Sequence, residues 1–386
     1  MLQVNKAHKV FLIALACCVA FSLLFVFLHA HFLAAAHNTA NTASAAGKGN
    51  QGVAEHYANY IAREEITTRM WMVISFMLTG SMAALGLIEF AVLPLLSLSR
   101  VGALSRVTYY EGLLQPFTMV AFILGMSAIV VTTFIPFDTF GEDTTMYRDV
   151  AMSFVLMFVL VIMVFATAKV IDEEIENRTM LTLMSKPIAR WQVIVGKYLG
   201  IVCIVFSISA ILMIIAGGCG WLRYFSDQRI DIFVATAQGR AQLFWDNDRA
   251  VLTMIPGFIL EFLEMCTLAA ISTAIATRYS LALNMTGIVV LYIVANLTRF
   301  IPALHAGGAV AAVLNGFSYL LPYLSNFDLN QCLVYRRISM PGHYIADAPT
   351  WGQIWQYVGL ASVYGLLYIG AALSVAIALF RNRELI

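Results

Sequence analysis

Two groups of acidic residues carry most of the chemistry this sequence can offer. The first is Glu173, Glu174 and Glu176, within residues 169–200, KVIDEEIENRTMLTLMSKPIARWQVIVGKYLG. Lys169, Asp172, Arg178, Lys186, Arg190 and Lys197 share that stretch, and uncharged apolar runs flank it on both sides. A charge at the centre of a bilayer costs a few kcal/mol, so this stretch lies in water. Pro187 has no N–H to give and suits the first turn of a helix better than its interior. The chain therefore leaves the membrane as a helix, turns at Ser185, Lys186 and Pro187, and returns as a second helix. Three glutamates here mark a segment on which another molecule docks, or they are the solvated face of an ordinary loop. Composition alone does not choose between these.

The second group is Glu261 and Glu264, three residues apart and so on one face of a helix. Counted from an expected helix start near residue 251, Glu261 lies roughly 15 Å along the axis. An ionised carboxylate at that depth must face water or a partner, which makes the pair a candidate for lining a transport pathway or relaying protons. If the helix begins later, both lie near the outer surface and are structural. Glu89, in another apolar run, is a weaker case of the same kind.

Other chemistries are missing from the pattern. No GxxxxGK[ST] loop is present: Gly196-Lys197 is followed by Tyr198, and Trp191 stands where the first glycine of a phosphate cradle belongs. The chain is therefore expected not to hydrolyse ATP, and no cofactor motif is found. There is no HExxH or GxSxG, and of the seven histidines only His29, His31 and His37 are neighbours, without further ligand spacing. The six cysteines show no CxxC spacing, and most lie in apolar runs as small hydrophobic residues. A net charge of +1 gives no reason to expect nucleic acid as a partner.

These residues have to be positioned by a membrane-embedded scaffold. The 386-residue chain is 61% hydrophobic and only 12% charged, whereas soluble domains carry about 25% charged residues. The class is an all-α polytopic membrane protein. Apolar runs predict about eight transmembrane helices, near residues 10–28, 70–97, 116–136, 150–168, 193–217, 251–277, 279–298 and 354–380. Residues 10–28 are long enough for an uncleaved first helix rather than a signal peptide. A polar excursion (37–68) follows it, and Arg100 and Arg106 alternate with apolar residues in a short amphipathic helix suited to the interface. Residues 218–250 carry four Arg and four Asp and are expected to form a solvated loop. Gly316 and Pro322 break the apolar run 307–324, which is expected to be a re-entrant or surface helix before the last span. Eight spans put both termini on the side of residues 169–200, where Lys and Arg are denser, as the positive-inside rule asks of a cytoplasmic side.

Residues 169–200 also resemble the coupling segment of the permease subunits of type-2 ABC exporters. The resemblance rests on Glu173, Glu174, Ile175, Glu176, Thr179 and Leu183, then Ser185, Lys186, Pro187, Ile188 and Arg190, then Gly196, Lys197 and Gly200. The glycine usual before the threonine is Arg178 here. This resemblance implies a membrane-spanning permease of an ATP-driven exporter in a plasma or inner membrane. It would pair with itself or a sister permease, and separate ATPase subunits would dock on a cytoplasmic coupling helix. The glutamates would face basic ATPase groups, while Arg190 and Lys197 anchor the elbow near lipid headgroups. The family core would be six helices over residues 98–386, preceded by a two-helix extension with an external polar loop over residues 1–97. Two readings from other classes remain: a proton-coupled secondary transporter using Glu261 and Glu264, and a membrane anchor or assembly protein without transport of its own.

Overall fold

A computed structural model describes residues 51–137, 143–176, 189–227, 237–298, 321–329, 339–340, 343–344 and 350–381. The expected first helix (10–28), residues 177–188 with the expected turn at Ser185, Lys186 and Pro187, and most of 307–324 lie outside the described residues. The elements are α1 (Gln51–Gly86), a π-helical turn (Leu87–Val92), α2 (Leu93–Leu96), α3 (Arg100–Leu113), α4 (Pro116–Thr132), α5 (Asp143–Glu176) and α6 (Arg190–Asp227). They continue with α7 (Ala237–Leu252), α8 (Met254–Ala276), α9 (Leu281–Leu297), a 3-10 turn (Leu324–Phe327) and α10 (Trp351–Arg381). Two two-residue strands, β1 (Ser339–Met340) and β2 (His343–Tyr344), pair antiparallel between the 3-10 turn and α10.

Five stretches among the described residues are long and apolar enough to cross a bilayer: Ala62–Leu96, Asp143–Ile171, Arg190–Asp227, Gly239–Ala276 and Trp351–Arg381. Helices α3 and α4 meet at a 65° bend and would make a sixth span if counted as one. Pro116 opens α4, where its missing N–H costs nothing. Helix α9, at 17 residues, is about 26 Å long, a little short of the hydrocarbon thickness. The protein is thus an all-α polytopic membrane protein, and the apolar runs expected within the described residues all form helices.

The helical path between α1 and α3 follows from three residues. Pro94, in the first turn of α2, cannot donate to the ladder, and the chain widens into the π-helical turn just ahead of it. Ser99 then caps α3, its Oγ accepting from the Gly102 N–H at 3.0 Å. Gly102 packs against the Leu96 carbonyl so closely that no Cβ fits.

The described chain falls into two compact units. One comprises Met1–Leu87, Val130–Arg148 and Ile214–Leu252. Its core is aromatic: Trp221, Phe225 and Phe244, with Ile66, Val73, Leu243 and Val251 packed against them. Here the sequence expectation of a solvated loop at 218–250 is corrected. Helix α6 runs on to Asp227, and α7 occupies 237–252. Several of its described charges are paired rather than left to solvent, although Asp246 and Arg249 are exposed. Arg223, 7% exposed, donates to the carbonyls of Thr133 (2.6 Å) and Ile135 (2.9 Å) and pairs with Asp143 and Asp227, each at 3.1 Å. Arg240 pairs with Glu65 at 3.3 Å, and the Trp221 indole donates to Asp248 at 2.7 Å.

The other unit comprises Ile88–Ile129, Asp149–Met213 and Thr253–Ile386. Its centre is α8, whose inner face is small: Cys266, Thr267, Ala269, Ala270, Ser272, Thr273 and Ala274 are all buried. Small side chains let neighbouring helices approach, which is the main source of packing energy between helices in lipid. The partner face on α10 carries buried Ala361 and Gly365, and a Cβ on Gly365 would touch Phe327 at 3.3 Å and Thr267 at 3.7 Å. Asn284 on α9 exchanges a hydrogen bond with Ser272 on α8. The apolar contact set Val193, Ile194, Ala274, Ala376 and Phe380 brings together the start of α6 and the ends of α8 and α10.

Candidate functional site

Both acidic groups fall, by chain position, in this second unit. Glu173, Glu174 and Glu176 lie in the last two turns of α5, and α6 resumes the chain at Arg190. Thr179, Ser185, Lys186 and Pro187 lie outside the described residues. What the structure describes is how the far end of the stretch 169–200 is held. Arg190, exposed at the start of α6, donates to the carbonyl of Arg381 at 2.8 Å. A cation beside the last carbonyls of α10 is well placed against the negative end of that helix.

The Gly196-Lys197-Tyr198-Leu199-Gly200 run proves to be a packing device. A Cβ on Gly196 would lie 2.8 Å from Leu104 Cβ and from the Val101 carbonyl oxygen. One on Gly200 would lie 2.6 Å from Thr108 Cβ and 2.7 Å from the Ser105 oxygen. The two glycines, one helical turn apart, seat α6 directly on the backbone of α3. The buried face of α3 is accordingly made of Gly102, Ser105, Thr108, Tyr109 and Gly112, while Val107 is 63% exposed. Lys197 does not reach out toward headgroups, as the sequence led us to expect. It is fully buried, and its Nζ donates to the Val170 carbonyl of α5 at 2.8 Å. Lysine's long stem allows this: leaving α6 between two glycines, it reaches across to α5.

Glu261 and Glu264 are 5% and 3% exposed. The reading in which α8 begins late and leaves them at the surface does not match this burial. Both line a cavity of about 260 Å³, together with Ser153, Tyr292, Asn296 and Asp328. Its remaining wall is apolar, formed by Leu156, Met157, Leu160 and Phe327. Four elements build it: α5, α8, α9 and the 3-10 turn with the residue that follows. Asp328 is exposed, while the two glutamates are buried. No described residue donates a hydrogen bond to the Glu264 carboxylate; the Thr267 Oγ1 hydroxyl donates to its backbone carbonyl at 2.7 Å.

The sequence did not single out Tyr292, Asn296 or Asp328 as site residues. Tyr292 and Asn296 did leave a trace, being four apart and so on one face of a largely apolar helix; the Asn296 amide donates to the Tyr292 carbonyl at 3.1 Å. Glu89 is placed elsewhere, accepting from the Tyr110 hydroxyl at 3.1 Å. Cys203, Cys219 and Cys266 are free and buried, in keeping with a packing role.

Long apolar helices, glycine-mediated helix contacts and a polar cavity inside one helical unit define a multi-pass integral membrane protein. The family model described as "ABC-2 family transporter protein" matches residues 9–385, and the chain belongs to that family. It is a membrane permease of an ABC transporter, and such permeases are generally the non-catalytic membrane subunit. No curated protein matches the chain.

Proposed function

We propose that this permease serves an ATP-driven exporter and that separate ATPase subunits dock on residues 169–200. The observation that carries this reading is the family match over residues 9–385. It is joined by a charged segment bracketed by two long apolar helices, α5 and α6. In this reading Glu173, Glu174 and Glu176 accept from basic ATPase groups, with Thr179, Ser185, Lys186 and Pro187 forming the turn that is pushed. Arg190, Gly196 and Lys197 make the base of that turn rigid through α10, α3 and α5, so that a push is passed on to the helices. ATP-driven closure of the ATPases then switches the helices between inward- and outward-open arrangements.

In the same reading two permeases, identical or sister chains, form the pathway. Both termini face the cytoplasm; the contact between Arg190 and Arg381 supports a common side for the coupling segment and the end of α10. Residues 1–97 are an addition to a six-helix core that begins at residue 98. Membership in a family of ABC permeases favours this account over a proton-coupled carrier or a passive anchor.

The test is the double substitution Glu174→Lys and Glu176→Lys. Reversing two charges that face basic groups should cost about 2–5 kcal/mol for each desolvated contact, so ATPase co-purification and substrate-stimulated hydrolysis should both fall. The altered chain should still insert and fold, because the segment lies in water. Unchanged binding and hydrolysis would remove these glutamates from the docking surface.

A further inference from the structure

The cavity around Glu264 has a composition that selects its occupant. Two carboxylates, Glu261 and Glu264, form its buried part, and a third, Asp328, is exposed at its edge. Glu264 is 97% buried (3% exposed), lines the space, and receives no hydrogen bond on its carboxylate from any described residue. A buried carboxylate with space in front of it and no donor is stabilised by a cation that brings its own N–H groups.

The rest of the wall narrows the choice. Leu156, Met157, Leu160 and Phe327 offer nothing to a hydrated inorganic ion but give an alkyl chain a surface to bury. The rings of Tyr292 and Phe327 add aromatic faces of the kind that attract ammonium groups. Among the described residues no group of three or more His, Cys, Asp and Glu side chains is arranged to hold a metal ion. At about 260 Å³ the space falls just below the roughly 300–1,000 Å³ of pockets that enclose drug-sized ligands. It suits a molecule of a few heavy atoms.

We propose that the cavity between α5, α8, α9 and the 3-10 turn is a binding site for a small organic ammonium ion with a short apolar part. Its ammonium group is held by Glu264 and Glu261, and its alkyl part lies against Leu156, Leu160 and Phe327. Asp328, at the exposed edge, attracts the cation toward the cavity. Tyr292 and Asn296 supply neutral oxygens that take N–H donors the carboxylates leave over. The inference deepens the permease reading by naming a substrate class. Binding is a property of the chain without its ATPase, so loss of ATPase association and loss of this site are read separately.

The experiment uses the full chain in nanodiscs and n-butylammonium chloride as the probe, followed by equilibrium dialysis and by thermal unfolding. Sodium chloride at equal ionic strength and n-butanol serve as the inorganic and the neutral counterparts. The expected result is saturable binding of n-butylammonium with a rise in Tm that neither control produces. Glu264→Gln should weaken binding at least tenfold, and Glu264→Asp should retain part of it. Met157→Trp fills the cavity from a side chain that is 45% exposed, leaves every acid in place, and should abolish binding. This second variant keeps the test decisive should Glu264→Gln fail to fold. Absence of saturable binding would overturn the proposal. So would a Tm rise matched by sodium chloride, or binding that survives Met157→Trp.

Discussion

Replacing Gly200 by alanine tests the account of the Gly-Lys-x-x-Gly run most directly. In a helix interior alanine is better than glycine by about 0.8–1.0 kcal/mol, so without a packing constraint the change should stabilise. The structure sets a constraint against it. The new Cβ would fall 2.6 Å from Thr108 Cβ and 2.7 Å from the Ser105 carbonyl oxygen. Ordinary contacts between such atoms are about 3.5–4 Å, so α3 and α6 would have to separate by close to 1 Å. Rotating a side chain does not relieve a clash with a backbone oxygen. Overpacking of this kind costs about 1–3 kcal/mol. Gly370, exposed on α10 with nothing within 4 Å of its added Cβ, supplies the control. The propensity gain is common to both variants and cancels in the comparison. Gly200→Ala should therefore be less stable than Gly370→Ala by about 1–3 kcal/mol. Thermal unfolding of both variants and the parent in the same nanodiscs measures the difference. If Gly200→Ala unfolds at or above the temperature of Gly370→Ala, α6 does not rest on α3 through this glycine, and the packing account of the motif fails.

Three further outcomes follow from particular contacts. Lys197→Met removes a buried charged hydrogen bond of the kind that contributes about 1.5–3 kcal/mol, and should lower Tm even without the ATPase. An unchanged Tm with weakened ATPase association would instead place Lys197 in the docking surface. Arg223→Met leaves Asp143 and Asp227 without their shared cation; because both aspartates keep about a fifth of their side chains exposed, the loss should lie near the lower end of the roughly 3–5 kcal/mol typical of broken buried pairs. Arg223→Lys should recover only part of the Tm. The proposed orientation is checked with single cysteines: Gly47→Cys, Gln238→Cys and Asp347→Cys should label from outside, and Asn177→Cys only after permeabilisation. Labelling of Asp347→Cys solely from the cytoplasmic side would mean that residues 307–324 span the membrane.

Membrane class and the positions of the apolar helices were legible from the residues alone. Apolar runs longer than a bilayer is thick admit few other structures, because every backbone polar group in lipid must be bonded within its own segment. One boundary was equally local: Pro116 opens α4, because proline lacks a donor wherever it stands. Helical spacing alone put Glu261 and Glu264 on one face, since that needs only 3.6 residues per turn. What each of those residues meets depends on which distant helix packs against it. Lys197 and Arg190 are cations in the same charged segment, yet one is buried on the Val170 carbonyl and the other, exposed, holds the Arg381 carbonyl. No local rule separates them, because the difference lies in which helix stands opposite. The four arginines and four aspartates of 218–250 read as a solvated loop because pairing cannot be read from composition. Arg223 finds its acceptors at Thr133, Ile135 and Asp143, some 80 to 90 residues away in the chain. The acidic cavity is the clearest case. Two of its carboxylates were visible as a helical pair, but Ser153, Tyr292, Asn296 and Asp328 come from three other parts of the chain, and only the packing of α5, α8 and α9 brings them to one space.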